Sequence, residues 1–155
     1  MEATNHLKVR KLKTGTVIDH IPQGRGLLLV RILGLDNHDS TLLIATRLES
    51  RKIWRKDIIK VERRFLSEDE IKKIALIAPG ATISIIDEYS VKKKIRPDLP
   101  ELVKGIIRCP NPRCVTRTEG TSRFLLEDKE HIIYRCAYCE TPIAGEDLVR
   151  IIEES

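Results

Sequence analysis

Strand-like and helix-like patterns of apolar residues alternate along the first hundred residues. Runs rich in β-branched residues predict strands, whereas an apolar run beginning at Pro22 and a second run beginning at Ser67 predict helices. Ser67 and Glu70 form a capping box at the start of the second helix, and Pro79 with Gly80 end it. The predicted strands are residues 7–21, 41–48, 52–65, 81–89 and 90–97, and the predicted helices are residues 22–35 and 67–78.

This order of elements predicts an α+β fold for the first part of the chain. Two helices on one face of a mostly antiparallel sheet give a ferredoxin-like arrangement. Residues 95–105 contain two prolines and predict an extended connector, so we place a domain boundary near Asp98, with domains of residues 1–98 and 99–155. Beyond it, short strands and turns predict a small all-β domain, over residues 105–114, 122–128, 131–139 and 147–154.

Four cysteines lie in this second domain with the spacing C-x4-C and C-x2-C. So short a segment builds a weak hydrophobic core on its own, and two pairs of thiols on turns can hold one Zn²⁺ tetrahedrally with no position open for a catalytic water. Two disulfides or unrelated buried thiols are the alternatives. We predict a zinc-ribbon-like domain with one structural zinc ion per chain, bound by Cys109, Cys114, Cys136 and Cys139.

The two domains carry opposite charge. Residues 1–100 contain 20 lysines and arginines against 13 acidic residues, a net charge of +7, whereas residues 101–155 contain 8 against 10, a net charge of −2. A zinc ribbon that binds nucleic acid is expected to be basic. We therefore predict that this one binds protein. The predicted contacts are Asn111, Arg113, Tyr138 and Glu140, and the alternative for each is a solvated loop residue without a partner.

Several functional classes are not indicated by the sequence. It has no run of about 18 apolar residues and no apolar segment behind a charged N-terminus, so we expect a cytoplasmic protein. It has no P-loop, GxGxxG, Ser/His/Asp or HExxH arrangement, so we predict no catalytic site. One glutamine, three asparagines and 33% charged residues are typical of a thermophile.

Two concentrations of charge in the first domain require an explanation. Asp19 and His20 lie in the middle of the first predicted strand, where neighbouring side chains point to opposite faces. A buried carboxylate without a partner is costly, so Asp19 needs a cation or a ligand. The run Lys92, Lys93, Lys94 and Arg96 is either a ligand-binding cluster or a solvated strand edge that resists aggregation.

Short motifs that occur in order along nearly the whole chain give the sequence a family resemblance. They are GTVIDHIP at 15–22, RKDIIKVE at 55–62, FLSEDEI at 65–71, ALIAPGATI at 75–83, RPDLPE at 96–101, and the CPN and YCE of the two knuckles. Together they resemble the regulatory chain of aspartate carbamoyltransferase. The resemblance implies a non-catalytic subunit that binds ATP, CTP and UTP and allosterically modulates separate catalytic chains in pyrimidine biosynthesis. It also implies homodimers of regulatory chains, and docking of the zinc domain on trimers of catalytic chains.

The resemblance also assigns roles to individual residues. It implies ribose contacts for Asp19 and Lys60, and phosphate contacts for His20, Lys94 and Arg96. A plain ion pair with Lys60 is the alternative for Asp19. It implies that the edge of the base is bound by backbone groups at Lys11, Leu12, Tyr89 and Val91. Val17 and Ile86 would form the apolar walls of the base site.

The chain departs from the resembled pattern at a few positions. Arg10 replaces an acidic residue of the bacterial form, and Ser84 and Arg113 replace amides. The preference among ATP, CTP and UTP, and the sign of each effect, stay open. The basic pI of about 9.1 and the cysteine spacing leave a nucleic-acid-binding zinc-ribbon protein as the alternative function, although six aromatic residues offer few stacking platforms.

Overall fold

The computed structural model describes residues 11–155, so the first four residues of the predicted strand at 7–21, which include Arg10, lie outside the described part. Five antiparallel strands form the first sheet in the order β2-β3-β1-β4-β5. The elements of this half are β1 (Gly15–Pro22), α1 (Gly26–Ile32), β2 (Leu42–Glu49), β3 (Arg55–Glu62), α2 (Glu68–Ile77), β4 (Thr82–Asp87) and β5 (Ser90–Ile95). This is the ferredoxin-like order with β5 added at one edge, and it confirms the predicted fold class.

Both helices of this half cover the same face of the sheet. Ile18 of β1 lies opposite Ile59 of β3 and Ile83 of β4, and all three side chains are buried. Leu29 of α1 and Ile77 of α2 belong to the same hydrophobic cluster. Because side chains alternate along a strand, residues next to these isoleucines point to the opposite face, which no helix of residues 11–155 covers and which we call the uncovered face.

The helix boundaries follow local capping chemistry. The predicted capping box is present at α2, where the Ser67 hydroxyl accepts from the N–H of Glu70 and the Glu70 carboxylate accepts from the N–H of Ser67. The first helix is shorter than the predicted 22–35. Pro22 ends β1, α1 begins only at Gly26, and a separate turn of 3₁₀ helix occupies Leu35–Asn37.

The second half contains a four-stranded antiparallel sheet in the order β6-β7-β8-β9. Tyr134 and Phe124 are fully buried in its core, and burial raises the pKa of Tyr134 to about 12. The Tyr134 hydroxyl donates a 2.7 Å hydrogen bond to the carbonyl of Pro100, which fixes the connector on the sheet. The strands are β6 (Leu102–Lys104), β7 (Arg123–Asp128), β8 (Ile133–Cys136) and β9 (Pro142–Ala144).

The predicted strand at 147–154 is wrong, because these residues form most of a helix, α3 (Gly145–Glu154). Its buried residues Leu148, Val149, Ile151 and Ile152 recur at helical spacing, and two acids occupy its first turn. Helix α3 packs against both α1 and α2, so the cores beneath the two sheets form one continuous cluster. Among residues 11–155, no helix has the length and apolar character needed to cross a membrane.

Candidate anion-binding face and metal centre

The four cysteines converge from two turns of the second half. Cys109 and Cys114 flank the turn after β6, Cys136 ends β8, and Cys139 lies in the turn before β9. All four sulfur atoms lie within 4.8 Å of one another, although the two pairs are separated by more than twenty residues. The predicted ligand set is therefore assembled at one point.

The sulfur geometry fits a metal ion and not disulfides. The Sγ atoms of Cys109 and Cys139 are 3.5 Å apart, and those of Cys114 and Cys136 are 3.8 Å apart. A disulfide requires about 2.05 Å. A tetrahedral ion bound at about 2.3 Å from each sulfur separates the sulfurs by about 3.8 Å. The cluster can thus hold one tetrahedrally coordinated metal ion.

The surroundings of the sulfurs favour different protonation states at different cysteines. Burial raises the pKa values of Cys109 and Cys136. A hydrogen bond with the Thr116 hydroxyl lowers the pKa of Cys114. At Cys139, burial opposes ionisation, but hydrogen bonds with the side chains of Thr141 and Asn111 prevail and lower the pKa to about 6. A bound cation would favour the thiolate at all four positions.

The residues predicted to contact a partner lie around this cluster. Asn111 is half-buried in the first knuckle, where its Oδ1 atom accepts from the N–H of Arg113 at 3.0 Å, so it also has a structural role. The side chains of Arg113, Tyr138 and Glu140 are exposed. Val115, also exposed, adds an apolar side chain that the sequence did not single out.

A row of side chains crosses the uncovered face of the five-stranded sheet. Strand register places one residue from each strand side by side, in the order Leu43, Lys60, Val17, Ser84 and Lys94. On the same face, Asp19 lies opposite Thr82, and Ile86 lies opposite Val91. The sheet therefore brings six of the predicted nucleotide-binding residues onto one surface, namely Val17, Asp19, Lys60, Ile86, Val91 and Lys94.

The cation beside Asp19 is Lys56, whereas we expected Lys60. The Lys56 Nζ atom lies 2.9 Å from Asp19 Oδ1, and the two side chains are only 16% and 26% exposed. The pairing of β1 with β3 is irregular between Ile18 and Ile21, and the part of β3 opposite Asp19 is flanked on the same face by Lys56 and Lys60. Lys60 lies opposite Val17 and makes no ion pair within residues 11–155.

His20 is the bulged residue, with a φ of 57°. Its N–H donates to Asp19 Oδ1 at 2.6 Å, and its ring Nδ1 lies 3.0 Å from the Thr82 hydroxyl. Burial lowers the pKa of His20, and the nearby charges of Lys56, Lys52 and Lys94 lower it further, against the opposing effect of Asp19. The His20 ring is consequently harder to protonate than an ordinary histidine, at a position that the charges of three lysines reach.

The other end of the face contains the residues predicted to surround a base. The N–H of Tyr89, a residue with a φ of 65°, donates to the carbonyl of Lys13, which ties the β4–β5 turn to the segment before β1. The side chains of Tyr89 and Val91 are exposed. Arg96 is exposed just beyond β5, at the opposite end from this turn. A shallow cavity of about 50 Å³ adjoins this end, lined by Lys11, Leu12, Thr41, Leu43, Lys60 and Glu62.

Asp57 is a buried carboxylate that the sequence interpretation missed. It is fully buried, and it accepts hydrogen bonds from the N–H groups of Gly24, Gly26 and Arg47 at 2.9–3.1 Å. A side chain at Gly26 would place its Cβ 2.9 Å from Asp57, so only glycine fits there. Asp57 thus joins the start of α1 to the sheet beside Lys56. The sequence could have indicated this, because Asp57 alternates with Ile59 and Val61 on the buried side of RKDIIKVE.

Two family models match consecutive parts of the chain. Residues 7–98 match the family described as aspartate carbamoyltransferase regulatory chain, allosteric domain, and residues 101–149 match the metal binding domain of the same chain.

Relatives from several organisms cover almost the whole chain. The aspartate carbamoyltransferase regulatory chain of Thermococcus gammatolerans is 48% identical over 145 residues, which are 92% of this chain and 96% of that one. Its counterpart from Methanopyrus kandleri is 43% identical over 152 residues, 96% of this chain and 97% of that one. The counterpart from Thermofilum pendens is 48% identical over 92% of each chain. The resemblance is confirmed, and the chain belongs to the family of aspartate carbamoyltransferase regulatory chains.

Proposed function

We propose that the uncovered face of the five-stranded sheet binds a nucleoside triphosphate and that the second half transmits this binding to a catalytic chain. The observation that carries the proposal is that the two ends of this face present different kinds of side chain. His20, Lys56 and Arg96 lie at one end, exposed Tyr89 and Val91 and a shallow cavity lie at the other, and Lys60 and Lys94 lie in the row between the two ends. A nucleotide has the same polarity, with an anionic chain at one end and a flat base at the other.

Each part of the nucleotide has a matching group on the face. Lys94 and His20 are the proposed phosphate contacts, with Arg96 as a neighbour, because cations and hydrogen-bond donors stabilise phosphate oxygens. Asp19 and Lys60 are proposed for the ribose, since a carboxylate accepts from a diol. Lys11, Leu12, Tyr89 and Val91 would bind the base edge through backbone groups, with Val17 and Ile86 as apolar walls. We propose ATP, CTP and UTP as effectors.

The metal in the cysteine cluster is proposed to be one structural Zn²⁺ per chain. Four thiolates complete a tetrahedral coordination sphere, so a zinc ion here would organise the fold and would have no open position for substrate. The exposed Val115, Arg113, Tyr138 and Glu140 around it supply a surface suited to docking on a catalytic chain. The chain itself is proposed to be non-catalytic.

The assembly is proposed to contain homodimers of this chain together with catalytic trimers. Strands β2 and β5 form the outer edges of the first sheet, and each has one side that no described strand pairs. Such edges need to be covered or protected by charge. Pairing across an edge of this sheet would cover it.

Calorimetry with the zinc-loaded full chain tests the nucleotide site. Lys94→Ala is expected to weaken binding of ATP, CTP and UTP by about tenfold, the value of one charge-assisted hydrogen bond. Lys93→Ala is the matched control, because Lys93 lies opposite Ile85 on the other face of β5. Unchanged affinity in Lys94→Ala would contradict the site, and tight, salt-dependent binding of single-stranded RNA without nucleotide binding would favour the nucleic-acid alternative.

A further inference from the structure

We infer that Lys52, on the turn between β2 and β3, is an additional phosphate-binding residue that makes the site prefer a triphosphate to a monophosphate. This inference rests on the proposed function. It concerns a residue outside the strands, which neither the motifs nor the strand register assigns to the face. Lys52 would extend the cationic end of the face beyond His20 and Lys94.

The turn lies at the same end of the sheet as the β1 bulge. Pro22, just after the bulge, pairs with Lys56, and Glu49 pairs with Arg55, so residues 50–54 continue past this end. The turn therefore projects beside the segment that contains His20.

The backbone of the turn is fixed by a side chain. The Ser50 hydroxyl accepts hydrogen bonds from the N–H groups of Lys52 and Ile53, at 3.2 Å and 3.3 Å. Such a serine turn holds the Lys52 backbone in place while its side chain stays exposed. An anchored backbone reduces the entropy that a ligand contact would cost.

The charge of Lys52 reaches His20, and charge on the face is unbalanced there. Lys52, Lys56 and Lys94 all act on the His20 ring, although they come from a turn and two different strands. The acid in this group, Asp19, is paired with Lys56. Lys52 and Lys94 make no ion pair within the described residues. An anion placed here would meet two cations that have no carboxylate to neutralise them.

This arrangement can distinguish nucleotides by the number of their phosphates. A lysine is a point charge that binds phosphate at the end of a flexible stem, so its contribution depends on an oxygen within its reach. A monophosphate is satisfied by the groups next to the ribose, His20 and Lys94. Only a longer phosphate chain would extend to the turn, so Lys52 adds affinity for triphosphates selectively.

The test is the ratio of CMP to CTP dissociation constants, measured by calorimetry on the zinc-loaded full chain. Lys52→Gln is expected to weaken CTP about tenfold and CMP less than about twofold, so that the ratio falls. Arg51→Gln is the matched control, since it removes the same charge from the neighbouring turn position and Arg51 is not among the charges that act on His20. Its ratio is expected to equal that of the wild type.

A second readout needs no nucleotide. The pKa of His20, followed by NMR in the free protein, is expected to rise in Lys52→Gln and to stay constant in Arg51→Gln, because Lys52 repels the imidazolium and Arg51 is not among the charges that act on it. An unchanged His20 pKa would overturn the proximity. An unchanged ratio in a chain that still binds CTP would overturn the phosphate role alone. Failure of the wild-type chain to bind CTP or CMP would overturn both this inference and the proposed function.

Discussion

Arg25 connects the two halves of the chain through Glu146. Its Nη2 atom donates a 2.7 Å hydrogen bond to Glu146 Oε1 in the first turn of α3, and its Nη1 atom donates to the carbonyl of Ile77 at the end of α2. Arg25 lies five residues after His20, between β1 and α1. The same side chain therefore contacts both helices at the junction and lies close in sequence to the proposed anion-binding end.

We expect the two hydrogen bonds of Arg25 to contribute differently to the free energy of unfolding. Glu146 is 85% exposed, so Glu146→Gln should change the free energy of unfolding by less than about 1 kcal/mol. Arg25 is only 25% exposed, and Arg25→Ala leaves the Ile77 carbonyl without this donor, so it should cost about 1–3 kcal/mol. Urea unfolding measures both. Arg150→Ala, which removes an exposed pair with Asp147 on α3, is the control, and an equal loss in all three variants would contradict the role of Arg25 at the junction.

Metal removal tests whether the two halves are separate folding units. A mercurial or a strong chelator should unfold the four-stranded sheet, because metal binding free energy at such sites is folding free energy, on the order of 10 kcal/mol. The five-stranded sheet should stay folded but become less stable, since α1 and α2 lose their contact with α3. NMR spectra recorded during zinc release report each half separately. Simultaneous loss of all signals would contradict the proposed boundary near Asp98.

The ion pair between Glu70 and Arg64 predicts a pH dependence of stability. Hydrogen bonds from Arg64, at 2.5 Å and 3.0 Å, lower the pKa of Glu70 against the opposing effect of burial. A carboxylate with a lowered pKa stabilises the folded state fully above its unfolded pKa of about 4.3, and the contribution is lost as the pH falls through the folded value.

Glu70→Gln keeps an acceptor for the capping box but removes the ion pair with Arg64, so it should cost about 1–2 kcal/mol at pH 7 and progressively less below about pH 4. Urea unfolding at several pH values measures the difference from wild type. Glu68→Gln in the same first turn is the control, because acid-induced metal loss affects both variants equally. A difference that does not shrink in acid would contradict the predicted coupling.

Asp19 gives a test of ribose recognition. If its carboxylate accepts from the ribose diol, the wild-type chain should bind CTP about fivefold more tightly than 2′-deoxy-CTP, the size of one hydrogen bond. Asp19→Asn should reduce this preference, because a neutral amide oxygen is a weaker acceptor than a carboxylate. If Asp19 serves solely as the partner of Lys56, the variant should instead bind both nucleotides more tightly, because a cation is released. Calorimetry with the two nucleotides separates these outcomes.

Local patterns predicted much of the fold. Alternation in β1 and β3, and the capping box at Ser67, gave the correct elements because short-range chemistry determines them. The strand predicted at 147–154 failed because Val149, Ile151 and Ile152 favour strands intrinsically, whereas packing against α1 and α2 selects the helix.

The metal cluster was easier to predict from the sequence than the face of the sheet around Asp19. Cysteine spacing alone indicated the metal cluster, because the ligands of each pair are close in sequence. The partner of Asp19 was not predictable from the sequence, because Lys56 and Lys60 lie on the same face of β3 beside the irregular pairing at His20. Lys56 and Lys52 reach this end only through strand register and the β2–β3 turn. Such non-local relations are not encoded in any short stretch of sequence.

Transmission of nucleotide binding to a catalytic chain is tested most directly by activity of a reconstituted complex. Catalytic trimers assembled with the wild-type, Lys94→Ala or Lys93→Ala chain would be assayed for carbamoyl transfer to aspartate, with and without ATP, CTP and UTP. The proposed function predicts that nucleotides change the activity with the wild-type and Lys93→Ala chains and lose most of this effect with Lys94→Ala. Activity that ignores nucleotides in all three complexes, or responds equally in all three, would contradict it.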